Sequence, residues 1–131
     1  MTRPVQVVPA ILSDEPVTLE KLVRLAESFT DYAQFDVMDG QFVPSRSVDW
    51  EDIARVRPKL NWEVHLMVLH PQDHVAGFQK AGASKIIFHY EATPEPQKII
   101  TAVRKLRLKV GLALKPETPV SVVLPLAGQI D

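Results

Sequence analysis

The sequence contains no cysteine among its 131 residues. This absence excludes disulfide bonds, cysteine nucleophiles and metal sites built on thiolates. Aromatic residues make up only 7% of the chain, and five glycines stand against eleven prolines. Proline, whose φ is fixed, suits the first turn of a helix. The remaining composition, 46% hydrophobic and 24% charged, is that of an ordinary globular domain.

Neither sign of charge is in excess, because the formal net charge is −1. Such a balance gives no general attraction to nucleic acid or to an anionic membrane surface. No apolar run in the sequence approaches the roughly 20 residues that span a bilayer. The first residues also lack the apolar region of a signal peptide. We therefore expect a cytoplasmic protein with neither nucleic acid nor a membrane as its partner.

Apolar runs and segments with helical periodicity alternate along the chain. Strands are predicted at 5–10, 33–38, 62–68, 85–89 and 108–114. Helices are predicted at 17–29, 49–56, 71–81, 96–106 and 119–127. Successive strand ends lie 24–29 residues apart, the length of one strand-plus-helix unit. The pattern predicts one α/β domain over residues 1–131, with a parallel sheet and helices outside it.

Polar side chains recur on one face of the second and third predicted strands. Side chains alternate across a strand, so Asp36 shares a face with Gln34 and Met38, and His65 shares one with Met67. A buried carboxylate is costly unless it is paired, hydrogen-bonded or metal-bound. Catalysis or metal binding explains this placement, and so does a structural hydrogen-bonded pair. In α/β proteins, ligands bind at the C-terminal edge of the sheet, where both residues lie.

Five sequence segments lie at or near the C-terminal ends of the predicted strands. They are PAILS at 9–13, DVMDGQFVP at 36–44, HLM at 65–67, HYEA at 89–92 and GLALKPETP at 111–119. In this order they resemble the ribulose-phosphate 3-epimerase family, and the resemblance runs from about Val5 to Asp131. It implies a TIM (β/α)₈ barrel. The chain then holds about the first five units of a truncated parallel βα barrel and ends before a sixth strand.

The resemblance implies metal-assisted proton transfer at C3, which interconverts D-ribulose 5-phosphate and D-xylulose 5-phosphate in pentose phosphate metabolism. Asp36 is then an acid–base group and, together with His65, a ligand of a divalent ion such as Zn, Fe, Mn or Co. Gln34 stands where the family has a histidine ligand, and a neutral amide oxygen is the weaker ligand. Glu63 is a candidate to orient His65, and a hydrogen bond inside the barrel layer is the alternative.

The same resemblance assigns a pocket for a sugar phosphate. Met38 and Met67 lie beneath the substrate, and His65 and His89 line the pocket. Ala10 stands where the family has a substrate-binding serine. The family's second acid–base aspartate and its phosphate-binding loops belong to units beyond the fifth. The resemblance therefore carries over one of the two acid–base groups that epimerisation needs.

Two other functions remain open. One is a catalytically impaired epimerase-like fragment or scaffold remnant without activity of its own, which Ala10 and Gln34 favour. The other is a decarboxylase or aldolase of the related phosphosugar class. It is the least supported, because those enzymes carry a lysine between paired aspartates, whereas Val37 and Met38 lie between Asp36 and Asp39. The first and fifth strands are open edges, so we also expect a homo-oligomer or self-association.

Overall fold

The computed structural model of the chain describes residues 2–131. Strands and helices alternate in the order β1 (Ala10–Ile11), α1 (Pro16–Glu27), β2 (Tyr32–Met38), α2 (Trp50–Val56), β3 (Asn61–Met67), α3 (Val75–Ala81), β4 (Lys85–His89), α4 (Pro96–Lys105) and β5 (Lys109–Ala113). Short 3₁₀ segments lie at Pro71–Asp73, Tyr90–Ala92 and Val120–Gln129. The strands pair in chain order and all in parallel. This is part of a parallel α/β barrel, as predicted.

The register across the sheet separates an apolar face from a polar face. Phe35, Val64, Ile86 and Val110 are opposite one another in neighbouring strands and are all buried. Their side chains form the core together with apolar stripes of the helices. Those stripes include Leu19, Val23 and Ala26 of α1 and Ile99, Ile100 and Val103 of α4. The next residue of each strand faces the other side, and this inner face carries the polar groups.

The first strand is much shorter than the predicted strand at 5–10. Only Ala10 and Ile11 pair, with Gln34 and Phe35 of β2, while Val5 and Val7 are 91% and 80% exposed. The register explains the difference. Because Ala10 lies opposite Gln34, residues 5–7 run past the start of β2 at Tyr32 and have no strand beside them. An apolar run forms a strand only where a partner strand is available.

Two helix predictions also differ from the structure. The segment predicted as a helix at 119–127 forms 3₁₀ turns over Val120–Gln129, with Pro125 inside it. Proline has no N–H to donate and its ring obstructs the preceding turn, so an α-helix is not continued there. The helix predicted at 71–81 is divided into 3₁₀ turns and α3, which ends at Ala81 and is capped by Gly82 with a φ of 108°. The remaining boundaries agree with prediction within about two residues.

The outer edge of β5 is covered at one position by the end of the chain. The backbone N–H of Asp131 donates to the carbonyl of Val110 at 2.8 Å. Its carboxylate accepts the N–H of Val110 at 3.0 Å, and Arg104 contacts that carboxylate at 2.7 Å. The opposite edge belongs to β1, which is two residues long. Over residues 2–131, the helices are too short or too polar to cross a bilayer.

Candidate active site

The C-terminal ends of β2, β3 and β4 bring the predicted site residues together. Asp36 lies opposite His65 in the register, and Met38 lies opposite Met67. His89 ends β4, where it is buried and lies opposite Ala113 of β5. Alternation along the strands therefore places these side chains on the inner face, away from the helices.

Asp36 and His65 contact each other directly. The distance from Oδ1 of Asp36 to Nδ1 of His65 is 3.2 Å, and the side chains are 17% and 22% exposed. The side-chain amide of Gln34 donates to the same oxygen of Asp36 at 2.9 Å. Gln34 therefore presents its nitrogen to Asp36, and ligation of a metal by Gln34, still a prediction, requires the amide to turn. Partial exposure leaves the carboxylate and imidazole accessible from the open inner face.

Glu63 does not orient His65. Its carboxylate accepts a hydrogen bond from the hydroxyl of Tyr32 at 3.1 Å and lies 3.8 Å from Nζ of Lys85. It therefore belongs to the hydrogen-bonded layer below the site, which is the alternative interpretation of the sequence. Glu63 lies two residues before His65, so both side chains are on the same face of β3, but Glu63 is about one layer further down the barrel.

His89 contacts His65 on the side away from Asp36. The two Nε2 atoms are 2.8 Å apart, and the rings are nearly parallel, with an interplanar angle of 27°. Nδ1 of His89 lies 3.3 Å from Oε2 of Glu91. Burial lowers the pKa of His89, and a positive charge on His65 would lower it further, while Glu91 acts in the opposite direction. Glu91 is the residue that the sequence interpretation missed, although it follows the strand-end histidine in the HYEA segment.

Glu91 is held firmly by the loop that follows β5. Its Oε1 accepts the hydroxyl of Thr118 at 2.6 Å and the backbone N–H of Lys115 at 2.5 Å. Burial raises the pKa of this carboxyl, but these hydrogen bonds outweigh burial, and the net pKa lies below its usual range. An anchored carboxylate that remains charged is a fixed hydrogen-bond acceptor for His89.

The loop after β2 packs against His89 through Phe42, and hydrogen bonds to the carboxylate of Asp39 hold this loop in place. The ring of Phe42 lies 5.1 Å from the ring of His89, and Nζ of Lys115 lies 4.2 Å from the centre of Phe42. One carboxylate oxygen of Asp39 accepts the N–H groups of Gln41 and Phe42, each at 2.8 Å. The other accepts the N–H of Leu69 at 2.7 Å, which ties this loop to the loop after β3.

Three predicted pocket residues remain, and Ala10 and Met38 have different surroundings. Ala10 is exposed on the edge strand, opposite Gln34. Met38 also lines a cavity of about 380 Å³ between the loops after β2 and β3. That cavity is otherwise polar, lined by residues that include Arg46, Asp49 and His74. The roles of Ala10, Met38 and Met67 toward a substrate stay predictions.

The donor set at Asp36 and His65 fits part of a divalent-metal site. Two ligands that each lie about 2.1 Å from an ion are roughly 3.0–3.4 Å apart in octahedral or tetrahedral coordination. The contact of 3.2 Å between Oδ1 and Nδ1 falls in this interval. Within residues 2–131, no three His, Asp or Glu side chains are grouped closely enough to complete such a site. Ligation of a metal by Asp36 and His65 stays a prediction.

The fold and this arrangement define the class of protein: a parallel α/β barrel with a carboxylate–imidazole site at the C-terminal edge of its sheet. The family model described as "Ribulose-phosphate 3 epimerase family" matches residues 6–131. The chain belongs to the ribulose-phosphate 3-epimerase family.

Individual relatives agree with the family model. Ribulose-phosphate 3-epimerase of Schizosaccharomyces pombe is 36% identical over 96% of this chain, and the match covers 58% of the yeast protein. The enzyme of that name from Treponema pallidum is 38% identical over the whole chain and 62% of its own length. The "Ribulose-phosphate 3-epimerase, cytoplasmic isoform" of Oryza sativa subsp. japonica is 34% identical over 92% of the chain and 55% of its own length. The chain thus spans less than two thirds of the length of these relatives.

Proposed function

We propose that this chain forms the acid–base and metal-binding half of an active site that epimerises a ketopentose phosphate at C3. The reaction is the interconversion of D-ribulose 5-phosphate and D-xylulose 5-phosphate in pentose phosphate metabolism. One observation carries the proposal: Asp36 and His65 are in contact at 3.2 Å on the inner face of a chain that belongs to the ribulose-phosphate 3-epimerase family.

The chemistry assigns a role to each residue. Asp36, as the base, accepts the proton from C3, and loss of a proton beside the carbonyl leaves an enediolate. Asp36 and His65, with Gln34 as a weaker third ligand, would hold a divalent ion, whose positive charge would stabilise the enediolate. Met67 offers a polarisable side chain to the substrate, as does Met38.

The remaining pocket roles follow the same proposal. His89 lines the pocket beside His65, with which it shares the 2.8 Å contact. Ala10 contributes a methyl group where a hydroxyl would bind substrate, so we expect weaker substrate binding than in relatives with serine there. The impaired-fragment alternative predicts no exchange at all, and the experiment below separates the two.

Incorporation of solvent deuterium tests the proposal. The purified chain is incubated with ribulose 5-phosphate and a divalent ion in heavy water, and deuterium at C3 is followed by NMR. One base is sufficient to exchange this proton even where full epimerisation needs a second group. We expect exchange above the rate without protein. Absence of exchange from a chain whose circular dichroism shows it to be folded would leave only the scaffold interpretation.

We further propose that the chain acts in the cytoplasm. The name of the rice relative supports this location.

We also propose that the chain associates with a second copy of itself through the edge formed by β1. Exposed Val5, Val7 and Leu12 beside a two-residue edge strand support the association, because an open apolar edge pairs readily. Sedimentation velocity at increasing concentration is expected to show species larger than 14.7 kDa. A single monomeric species over the whole range would contradict this.

A further inference from the structure

Asp36, His65, His89 and Glu91 form one continuous line of contacts. Its steps are 3.2 Å from Asp36 to His65, 2.8 Å between the two imidazoles and 3.3 Å from His89 to Glu91. Every atom in these contacts is an oxygen or ring nitrogen that can accept, so each contact needs a proton to become a hydrogen bond. Two neutral imidazoles carry one proton each. Two of the three contacts therefore hold a proton, and the third holds none.

We propose that Glu91 is a positioning residue which, through His89, fixes the tautomer of His65 so that Nδ1 of His65 presents its lone pair beside Asp36. This inference rests on the proposed function, in which Asp36 and His65 bind a divalent ion. A ligating imidazole nitrogen must carry a lone pair, and its tautomer is set by the hydrogen bond of the other nitrogen. The opposite tautomer would place a proton where the ion must bind.

The surroundings decide which contact has no proton. The side chain of His89 is 10% exposed, so an unprotonated Nδ1 facing the carboxylate of Glu91 would be compensated by little water. Oε1 of Glu91 is engaged by Thr118 and Lys115, which leaves Oε2 directed at His89. The proton of His89 therefore lies on Nδ1. Two bare Nε2 atoms only 2.8 Å apart would repel each other, so Nε2 of His89 accepts from Nε2–H of His65.

The contact between Asp36 and His65 can lack a proton at a smaller cost in free energy. Asp36 and His65 are 17% and 22% exposed, and Oδ1 of Asp36 already receives the amide N–H of Gln34. The bare Nδ1 of His65 and the oxygen of Asp36 thus converge on the same side of the sheet. His89 therefore connects Glu91, which is fixed in place, to His65, the proposed ligand.

The tautomers can be read without any metal. A ¹⁵N-labelled sample of the 131-residue chain, freed of metal with a chelator, is studied at about pH 8, above the usual histidine pKa of about 6.5. Long-range ¹H–¹⁵N correlations are expected to show the proton of His65 on Nε2 and that of His89 on Nδ1. A proton on Nδ1 of His65 in this sample would overturn the inference, whichever nitrogen of His89 carries its proton.

Glu91→Gln is the matching variant, because its amide can donate to Nδ1 of His89 and so reverse both tautomers. We expect the correlations to show that reversal, and calorimetric titration with Zn²⁺ to show affinity about 10–100-fold weaker than for the unmodified chain. Glu95→Gln is the control, since Glu95 is exposed and pairs with Lys98 at 2.8 Å. It is expected to leave tautomers and affinity unchanged.

Thr118→Val provides a second test in case the Glu91 variant is unstable. It removes one hydrogen bond that anchors Glu91 but leaves the carboxylate, so a smaller loss of affinity in the same direction is expected. If the unmodified chain shows the expected tautomers but binds no Zn²⁺, the metal proposal fails and the positioning role stands. If Glu91→Gln keeps the tautomers and affinity of the Glu95→Gln control, the positioning role is wrong.

Discussion

Replacing Asp36 with asparagine is expected to reduce deuterium incorporation at C3 by at least about 10²–10⁴-fold, the usual contribution of a general base. The amide has the shape of the carboxylate but cannot take up the proton. It also removes a negative ligand from the proposed ion and leaves only a neutral oxygen or an N–H facing Nδ1 of His65, at present 3.2 Å away. Both effects act on the same step.

The measurement is NMR detection of deuterium at C3 with equal amounts of each protein and excess divalent ion. Asp73→Asn is the control, because Asp73 is an exposed carboxylate in the loop after β3, near the same edge of the sheet. It is expected to retain the rate of the unmodified chain. Unchanged exchange by a folded Asp36→Asn protein would show that another group removes the proton.

The periodicity of the sequence predicts most of the fold and part of the candidate site. Alternation along β2 and β3 correctly places Asp36 and His65 on one face, since the rule depends only on strand geometry. Their direct contact follows from both residues occupying the same position relative to the ends of neighbouring parallel strands. Phe35, Val64 and Ile86 are equally predictable, because a strand covered by helices is apolar on that face.

The sequence pattern does not predict which strand or side chain a given residue will contact in the fold. Val5 and Val7 have the composition of a strand, yet the register with β2 leaves them nothing to pair with. Glu63 and Glu91 are both acidic residues two positions from a site histidine. In the fold Glu63 contacts Tyr32 whereas Glu91 contacts His89, and the sequence pattern does not distinguish the two.

Phe35→Ala is the second substitution with a large expected effect, this time on stability. Phe35 is 1% exposed, and its ring meets the edge of Trp62 with the centroids 5.0 Å apart. Removing a buried phenylalanine ring loses transfer free energy and leaves a cavity, which together cost about 3–5 kcal/mol. Small domains have total stabilities of about 5–15 kcal/mol, so this substitution removes a large fraction.

Urea denaturation followed by circular dichroism measures the change, and Phe29→Ala is the matched control. Phe29 lies just after α1 and is 65% exposed, so its truncation is expected to change the free energy of unfolding by no more than about 0.5 kcal/mol. Equal losses for the two variants would mean that the apolar face of β2 is not packed as described.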